Sequence, residues 1–369
     1  MTGAAGTRVV ALPTYEVRIE PGLLAHLGGL VAAAAPAHRT VVITDENLER
    51  CHGAAARRAV EALGAEWIVI PPGEAEKSRE RWAWLTDRLL ALGCGRDTTL
   101  VALGGGVVGD LVGFTAATFV RGVPYVQVPT TLLAMVDASV GGKTAVDVPA
   151  GKNLVGAFHQ PALVLADPAL LRTLPVAELR SGLAEVMKHG IIADAAYLGR
   201  VVAALPSLLA PGGADGDLAL LTAVVARSVE IKASVVAADE REGGRRKILN
   251  FGHTLGHAVE ALSGYALLHG EAVAIGMRLE ARLAERLGVA EPGMAAGVDD
   301  ALDRAGLPAA LPAGMDREAI VVATRGDKKA RGGVAEYALP AALGRMAGGE
   351  RGWSIAVPED EVRAMLGRR

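Results

Sequence analysis

Apolar and polar positions along the first half of the chain follow two periods, one of two residues and one near four. Tyr15, Val17 and Ile19 alternate with Glu16, Arg18 and Glu20, which predicts a half-buried strand ended by Pro21-Gly22. Residues 40–44 (TVVIT), 67–70 (WIVI), 98–103 (TTLVAL), 125–128 and 163–166 are short continuous apolar runs, the signature of strands buried on both faces. Residues 54–63 and 79–92 have helical spacing. Strand, helix, strand in this order predicts a mostly parallel sheet with helices on both faces. After about residue 174 the pattern becomes long helical stretches at 178–192, 218–237, 252–262 and 269–287, with a glycine-rich loop at 211–216. The expected organisation is an α/β domain over residues 1–178 and an all-α domain over 179–369.

Composition narrows the function classes. Of 369 residues, 51% are hydrophobic and 21% charged, enough apolar material for a large core and against bulk disorder. The net charge of −3 and the lack of a Lys/Arg run argue against a nucleic-acid partner. Two cysteines, Cys51 and Cys94, make neither a disulfide framework nor a cysteine zinc site, which fits a reducing compartment. No apolar stretch of spanning length lacks Gly, Pro or charge, so no membrane segment is expected.

Three regions carry candidate chemistry. Gly104-Gly105-Gly106-Val107-Val108-Gly109-Asp110 follows a predicted strand and opens a predicted helix. Glycines there let a ligand approach the backbone, and a helix start offers free N–H groups to a phosphate. Asp45, at another strand end, is placed to accept from a ribose. Residues 129–153 read as a polar loop with two Gly-Lys pairs, Gly142-Lys143 and Gly151-Lys152. The first glycine of an NTPase phosphate loop is missing, since Asp137 occupies its position, but a lysine beside flexible glycines suits a phosphate or carboxylate.

The third region gathers carboxylates and imidazoles. Five of the eight histidines lie between positions 159 and 269. His253 and His257 are four apart and share a helix face, so spacing alone pairs them as metal ligands. No Glu follows His253, so a zinc-protease reading lacks its base. Glu185, in an otherwise apolar helix, requires a cation or metal nearby. Two nitrogens and a carboxylate suit a catalytic zinc with an open position. Residues 232–250 are the most charged of the second half and read as a solvated helix end, with Arg246 and Asn250 on the face leading to His253.

Taken in order, GGGVVGD, RGVPYVQVPTTLLAMVDASVGGKTAV, GKNLVGAF, LAEVMKHG, LNFGHTLGHAVE and HGEAVAIGM closely resemble the 3-dehydroquinate synthase family, from about residue 40 to about residue 340. The resemblance implies a Rossmann-like NAD domain, a helical domain, an active site in the cleft between them, a cytoplasmic homodimer and a place in the shikimate pathway. It implies NAD and one divalent metal, zinc or cobalt, on Glu185, His253 and His269. His257 then becomes a substrate-site residue. NAD contacts are implied for Asp45, Asn47, Glu74, Lys77, Gly105, Gly106, Asp110, Thr130, Thr131, Lys152 and Thr173. Substrate contacts are implied for Arg121, Asp137, Lys143, Asn153, Lys188, Lys232, Arg246, Asn250 and His257, with one phosphate-binding lysine of Lys328 and Lys329. Of these, His257, Lys188, Asp137 and Asn250 are the expected catalytic set. Residues 176–178, where the family often has an Arg before the Glu, and the tail around 336–353 depart from the pattern. Rival expectations are aminodehydroquinate synthase, another sugar-phosphate cyclase, or an NAD-dependent polyol or glycerol-phosphate dehydrogenase.

Overall fold

A computed structural model describes residues 7–210, 217–325 and 335–367. Its contacts divide the chain into two compact units, residues 1–175 with 210–233, and residues 176–209 with 234–369. The expected division at 178 put residues 210–233 with the helical half; they cluster with the first unit. The predicted loop at 211–216 lies outside the described residues. No described helix is long and apolar enough to cross a membrane.

The first unit is built on a seven-stranded sheet. Its strands are β1 (Arg8–Ala11), β2 (Glu16–Ile19), β3 (Arg39–Asp45), β4 (Glu66–Ile70), β5 (Thr98–Gly104), β6 (Tyr125–Pro129) and, after a hairpin, β9 (Leu163–Ala166). The order is β1-β2-β9-β6-β5-β3-β4, parallel throughout except for β1. Every residue of β5 and β9 is buried, as continuous apolar strands in a two-sided parallel sheet must be. In β2 the alternation of the sequence becomes an alternation of burial. Helix Arg79–Ala91 starts on Ser78, whose hydroxyl accepts from the Arg81 N–H at 3.1 Å. It turns Leu85 and Leu89 into the same core as Val41, Ile43, Ile70, Leu100 and Leu111.

From β3 the chain moves outward to β4 and then returns to the other side of β3 as β5. The carboxyl ends of β3 and β5 therefore flank a switch in winding direction, the place where open α/β sheets bind ligands. Register pairs Thr44 with Leu103, so Asp45 lies level with Gly104.

Residues 143–158 correct the loop reading. They form an antiparallel hairpin of β7 (Lys143–Val148) and β8 (Gly151–Phe158), with Lys143 opposite Phe158. β8 buries no residue fully, so it has no apolar face for a period-two search to find.

The second unit is mostly helical, and its core holds helices Val176–Ala193, His253–Leu262 and His269–Arg286. It also contains two small antiparallel pairs, Glu336–Tyr337 with Ile355–Ala356 and Pro340–Ala342 with Arg345–Met346. These strands of two or three residues are too short to register as a period, which is why the sequence reads this half as wholly helical.

Candidate metal centre and nucleotide site

In the second unit the three core helices touch where glycines replace side chains. A Cβ on Gly276 would lie 1.9 Å from the Gly252 carbonyl oxygen and 2.6 Å from the Gly256 nitrogen. One on Gly270 would lie 2.0 Å from the Ser181 carbonyl oxygen, and the Gly270 N–H donates to Ser181 Oγ at 3.0 Å. Gly252 itself has φ +80, a left-handed conformation natural to glycine. It ends the Arg245–Asn250 turn and opens helix His253–Leu262. Glu280, fully buried on the facing helix, accepts from the N–H groups of Gly252 at 2.6 Å and Leu255 at 3.0 Å. Its carboxylate thereby caps the helix start that carries His253.

Glu280→Ala is expected to lower the unfolding free energy by about 3 kcal/mol or more, since each buried N–H left without an acceptor costs roughly 1–3 kcal/mol. Urea denaturation checks this, and a loss below about 1 kcal/mol would reject the capping role.

This frame brings Glu185, His253 and His269 together. Glu185 Oε1 is 3.5 Å from Nε2 of His253 and 3.5 Å from Nε2 of His269, and the carboxylate is fully buried. One ligand atom from each residue lies within 4.8 Å of the others. The His253 Nδ1 is 3.1 Å from the Phe251 carbonyl oxygen, which leaves Nε2 directed at Glu185. Burial pushes the His253 imidazole well below its ordinary pKa, and the Lys188 ammonium adds to this, so the ring is neutral and able to ligate. Burial also acts to lower His269, but Glu185 and Glu260 outweigh it and its pKa is pushed up to about 9. One neutral imidazole, a second that must give up its proton to ligate, and a carboxylate form a donor set that fits a divalent zinc or cobalt ion.

The spacing-based pairing of His253 with His257 is not the group that closes on Glu185. Their rings stand 5.2 Å apart, edge to face, and His257 is exposed. His257 groups instead with Glu260 and His269. Lys188 is buried one helical turn from Glu185 and forms an ion pair with it. Arg246 is buried and donates from Nη1 to the Glu240 carbonyl at 2.5 Å. Asn250 donates to Glu242 Oε1 at 2.6 Å.

The segment before Asn250 is organised where a solvated helix end was expected. Asp239 accepts from the N–H groups of Gly243, Gly244 and Arg246 at 3.0, 2.7 and 3.0 Å. Burial alone would raise its pKa, but these donors hold it below the ordinary carboxylate range. Asp239, Glu242, Glu260 and Glu280 are neighbours of the candidate site residues that the sequence reading missed. Glu260 had a signal, seven residues after His253 and three after His257 on one helix face. Glu280 had one too, as a lone acid among the apolar positions Met277, Leu279, Ala281 and Leu283.

In the first unit most of the predicted nucleotide contacts follow the carboxyl ends of β3 to β6, while Lys152 lies on β8 and Thr173 in the turn after β9. Gly105 caps helix Gly106–Thr118 with no side chain in the way. Cβ atoms on Gly105 and Gly106 would meet only Thr131 Cγ2 at 3.2 Å, with its Oγ1 at 3.7 Å, and Ala138 Cβ at 3.6 Å. The helix start therefore offers backbone N–H groups where an added side chain would crowd Thr131 or touch Ala138, an arrangement that suits a pyrophosphate. Asp45 accepts from Leu48 N–H at 3.0 Å, and Asn47 accepts from Arg50 at 3.0 Å on the surface. The Thr130 N–H donates to Gly104 O at 3.0 Å, and Thr131 Oγ1 accepts from Ala134 N–H at 3.1 Å. Lys77 is buried and donates to Asp110 Oδ2 at 2.5 Å. Burial opposes its charge, yet Asp110 and Glu74 hold the ammonium above its ordinary range. Lys152 pairs with Glu74 at 3.5 Å, and Thr173 Oγ1 bonds His52 Nε2 at 2.8 Å.

Among the predicted substrate residues of this unit, Lys232 is buried and meets Asp137 through both the carboxylate, at 2.7 Å, and the carbonyl, at 2.6 Å. Lys143 and Arg121 are exposed. Arg121 has φ 73 and Asn153 has φ 55, left-handed backbone that is costly for Arg and tolerated by Asn. Lys328 and Lys329 lie outside the described residues.

A doubly wound nucleotide-type unit, joined to a helical unit with a two-histidine, one-glutamate cluster, defines a class of enzyme that couples a dinucleotide with a metal. Comparison with known proteins names the family. The model described as 3-dehydroquinate synthase N-terminal matches residues 67–181, and the model described as 3-dehydroquinate synthase C-terminal matches residues 182–330. The chain belongs to the 3-dehydroquinate synthase family, whose members are enzymes.

The 3-dehydroquinate synthase of Symbiobacterium thermophilum is 48% identical over 90% of this chain and 92% of its own. That of Nostoc punctiforme is 42% identical over 96% of each. Among solved structures, a 2-deoxy-scyllo-inosose synthase complexed with carbaglucose-6-phosphate, NAD+ and Co2+ has a TM-score of 0.86 at 25% identity, covering 98% of this chain and 99% of that one. The 2-epi-5-epi-valiolone synthase of Streptomyces hygroscopicus subsp. jinggangensis, with NAD+ and Zn2+ bound, has a TM-score of 0.82 at 29% identity, covering 97% and 98%.

Proposed function

We propose that this chain converts 3-deoxy-D-arabino-heptulosonate 7-phosphate to 3-dehydroquinate and phosphate. The observation that carries this reading is the convergence of Glu185, His253 and His269 in a chain 42–48% identical to dehydroquinate synthases over most of its length. Identity to the cyclases of other sugar phosphates is 25–29%, well below that level.

Glu185, His253 and His269 would hold one zinc or cobalt ion, whose chemistry when bound is to lower the pKa of substrate hydroxyls. Asp45, Asn47, Glu74, Lys77, Gly105, Gly106, Asp110, Thr130, Thr131, Lys152 and Thr173 would hold NAD, whose chemistry is a hydride transfer that is later reversed, leaving no net redox change. His257, exposed beside the buried ligand pair, takes the proton of a substrate alcohol. Lys188, paired with Glu185, or Arg246 binds the substrate carboxylate. Lys143, Lys232, Arg121 and Asn153, with Lys328 or Lys329, bind the phosphate and hydroxyls. Asp137 orients the Lys232 ammonium, and Asn250, held by Glu242, orients a substrate hydroxyl. A homodimeric state and a cytoplasmic location belong to the same reading and rest on the family resemblance.

With NAD and zinc present, the purified chain is expected to release phosphate from the heptulosonate phosphate while absorbance at the NADH band stays flat. Steady NADH accumulation, or turnover of sedoheptulose 7-phosphate in place of this substrate, would overturn the reading.

A further inference from the structure

A carboxylate oxygen faces each ring nitrogen of His269. Nε2 is 3.5 Å from Glu185 Oε1, and Nδ1 is 3.7 Å from Glu260 Oε2. Glu260 is buried, with 4% of its surface exposed, on helix His253–Leu262. It stands two turns after His253, so one helix supplies a nitrogen to the cluster and a carboxylate behind it. The other imidazole has the same arrangement with a different acceptor, since the Phe251 carbonyl stands behind His253 Nδ1 at 3.1 Å.

We propose that Glu260 is a positioning residue for His269: it accepts from Nδ1–H, fixes the tautomer that presents the Nε2 lone pair, and thereby sets the metal affinity of the Glu185–His253–His269 group. The inference rests on the reading that this group holds a divalent ion. A carboxylate behind a ligating imidazole orients the ring and raises its basicity, and loss of such a partner weakens metal binding by about 10–100-fold. The arrangement also accounts for a buried acid grouped with His257 and His269. The competing possibility is that Glu260, His257 and His269 ligate a second cation, because their donor atoms also lie within 4.8 Å of one another.

The test titrates Zn2+ and Co2+ against a competing chelator in the full-length chain and in Glu260→Ala, Glu260→Gln and Glu260→Asp, with metal counted per chain. The wild type is expected to bind one ion. Glu260→Ala is expected to bind it about 10–100-fold more weakly with an altered Co2+ visible spectrum, and Glu260→Gln, whose amide oxygen still accepts from Nδ1–H, to recover part of the affinity. If Glu260→Ala does not fold by circular dichroism, Glu260→Gln and Glu260→Asp decide. Affinities within about twofold of wild type, with an unchanged Co2+ spectrum, overturn the inference while leaving the metal reading intact. Two ions in the wild type, one of them lost on substitution, overturn it in favour of the second site. A wild type that binds no ion overturns both.

Discussion

Glu185→Gln is expected to abolish tight metal binding and to lower turnover by more than about 100-fold, because it removes the one carboxylate donor of the Glu185–His253–His269 group while keeping its shape. The amide is the informative choice. Both Glu185→Gln and Glu185→Ala remove the charge paired with the buried Lys188 ammonium, and breaking such a pair costs roughly 3–5 kcal/mol whether or not a metal binds, but the amide oxygen still offers that ammonium an acceptor. Thermal unfolding with and without zinc separates the two effects. At about 1,000 times the dissociation constant, a bound ion adds roughly 4 kcal/mol to the folded state, which the wild type should show as a rise in melting temperature. Glu185→Gln should show almost none of that rise. A zinc-dependent rise equal to wild type would mean that Glu185 is not a ligand.

Gly276→Ala is expected to be nearly as damaging, although residue 276 carries no chemistry. Its Cβ would stand 1.9 Å from the Gly252 carbonyl oxygen, and backbone cannot rotate away as a side chain can. Overpacking of this kind costs about 1–3 kcal/mol or more. The strain falls on the helix start that carries His253, so metal affinity and stability should drop together. Gly199→Ala is the control. It lies in helix Ala195–Leu208, and nothing stands within 4 Å of the added Cβ. There the substitution should stabilise by about 0.5–1 kcal/mol through helix propensity. The same chemical change is thus expected to have opposite signs at two helical glycines. If Gly276→Ala melts with the wild type, the close approach of the helices does not constrain the cluster.

Both variants bear on how much of this protein is legible in its sequence. The parallel sheet is legible because β3, β5, β6 and β9 are apolar runs of strand length, each ended by a polar or glycine-rich turn. The four long helices are legible because their apolar faces repeat at helical spacing. The hairpin of β7 and β8 is not, since β8 has no buried face to leave an alternation. The placement of residues 210–233 with the first unit is not either, because an apolar helix face does not specify which core it joins.

The chain's sequence by itself determined the element types, the glycine turn after β5, the need of Glu185 for a positive partner, and, through its joint motifs, the family. Helical spacing alone chose His257 as the partner of His253, because a sequence ranks neighbours along a helix. The joint motifs, through the family resemblance, already implied His269 in its place; what only the tertiary structure decided is how His269, sixteen residues further on and in another helix, comes within 3.5 Å of Glu185. The reason is physical: Gly252, Gly256, Gly270 and Gly276 allow backbones to meet where any side chain would hold them apart. That contact distance is a property of paired helices, so no single segment contains it. The same holds for Glu260 and Glu280, whose carboxylates acquire their partners only when the helices pack.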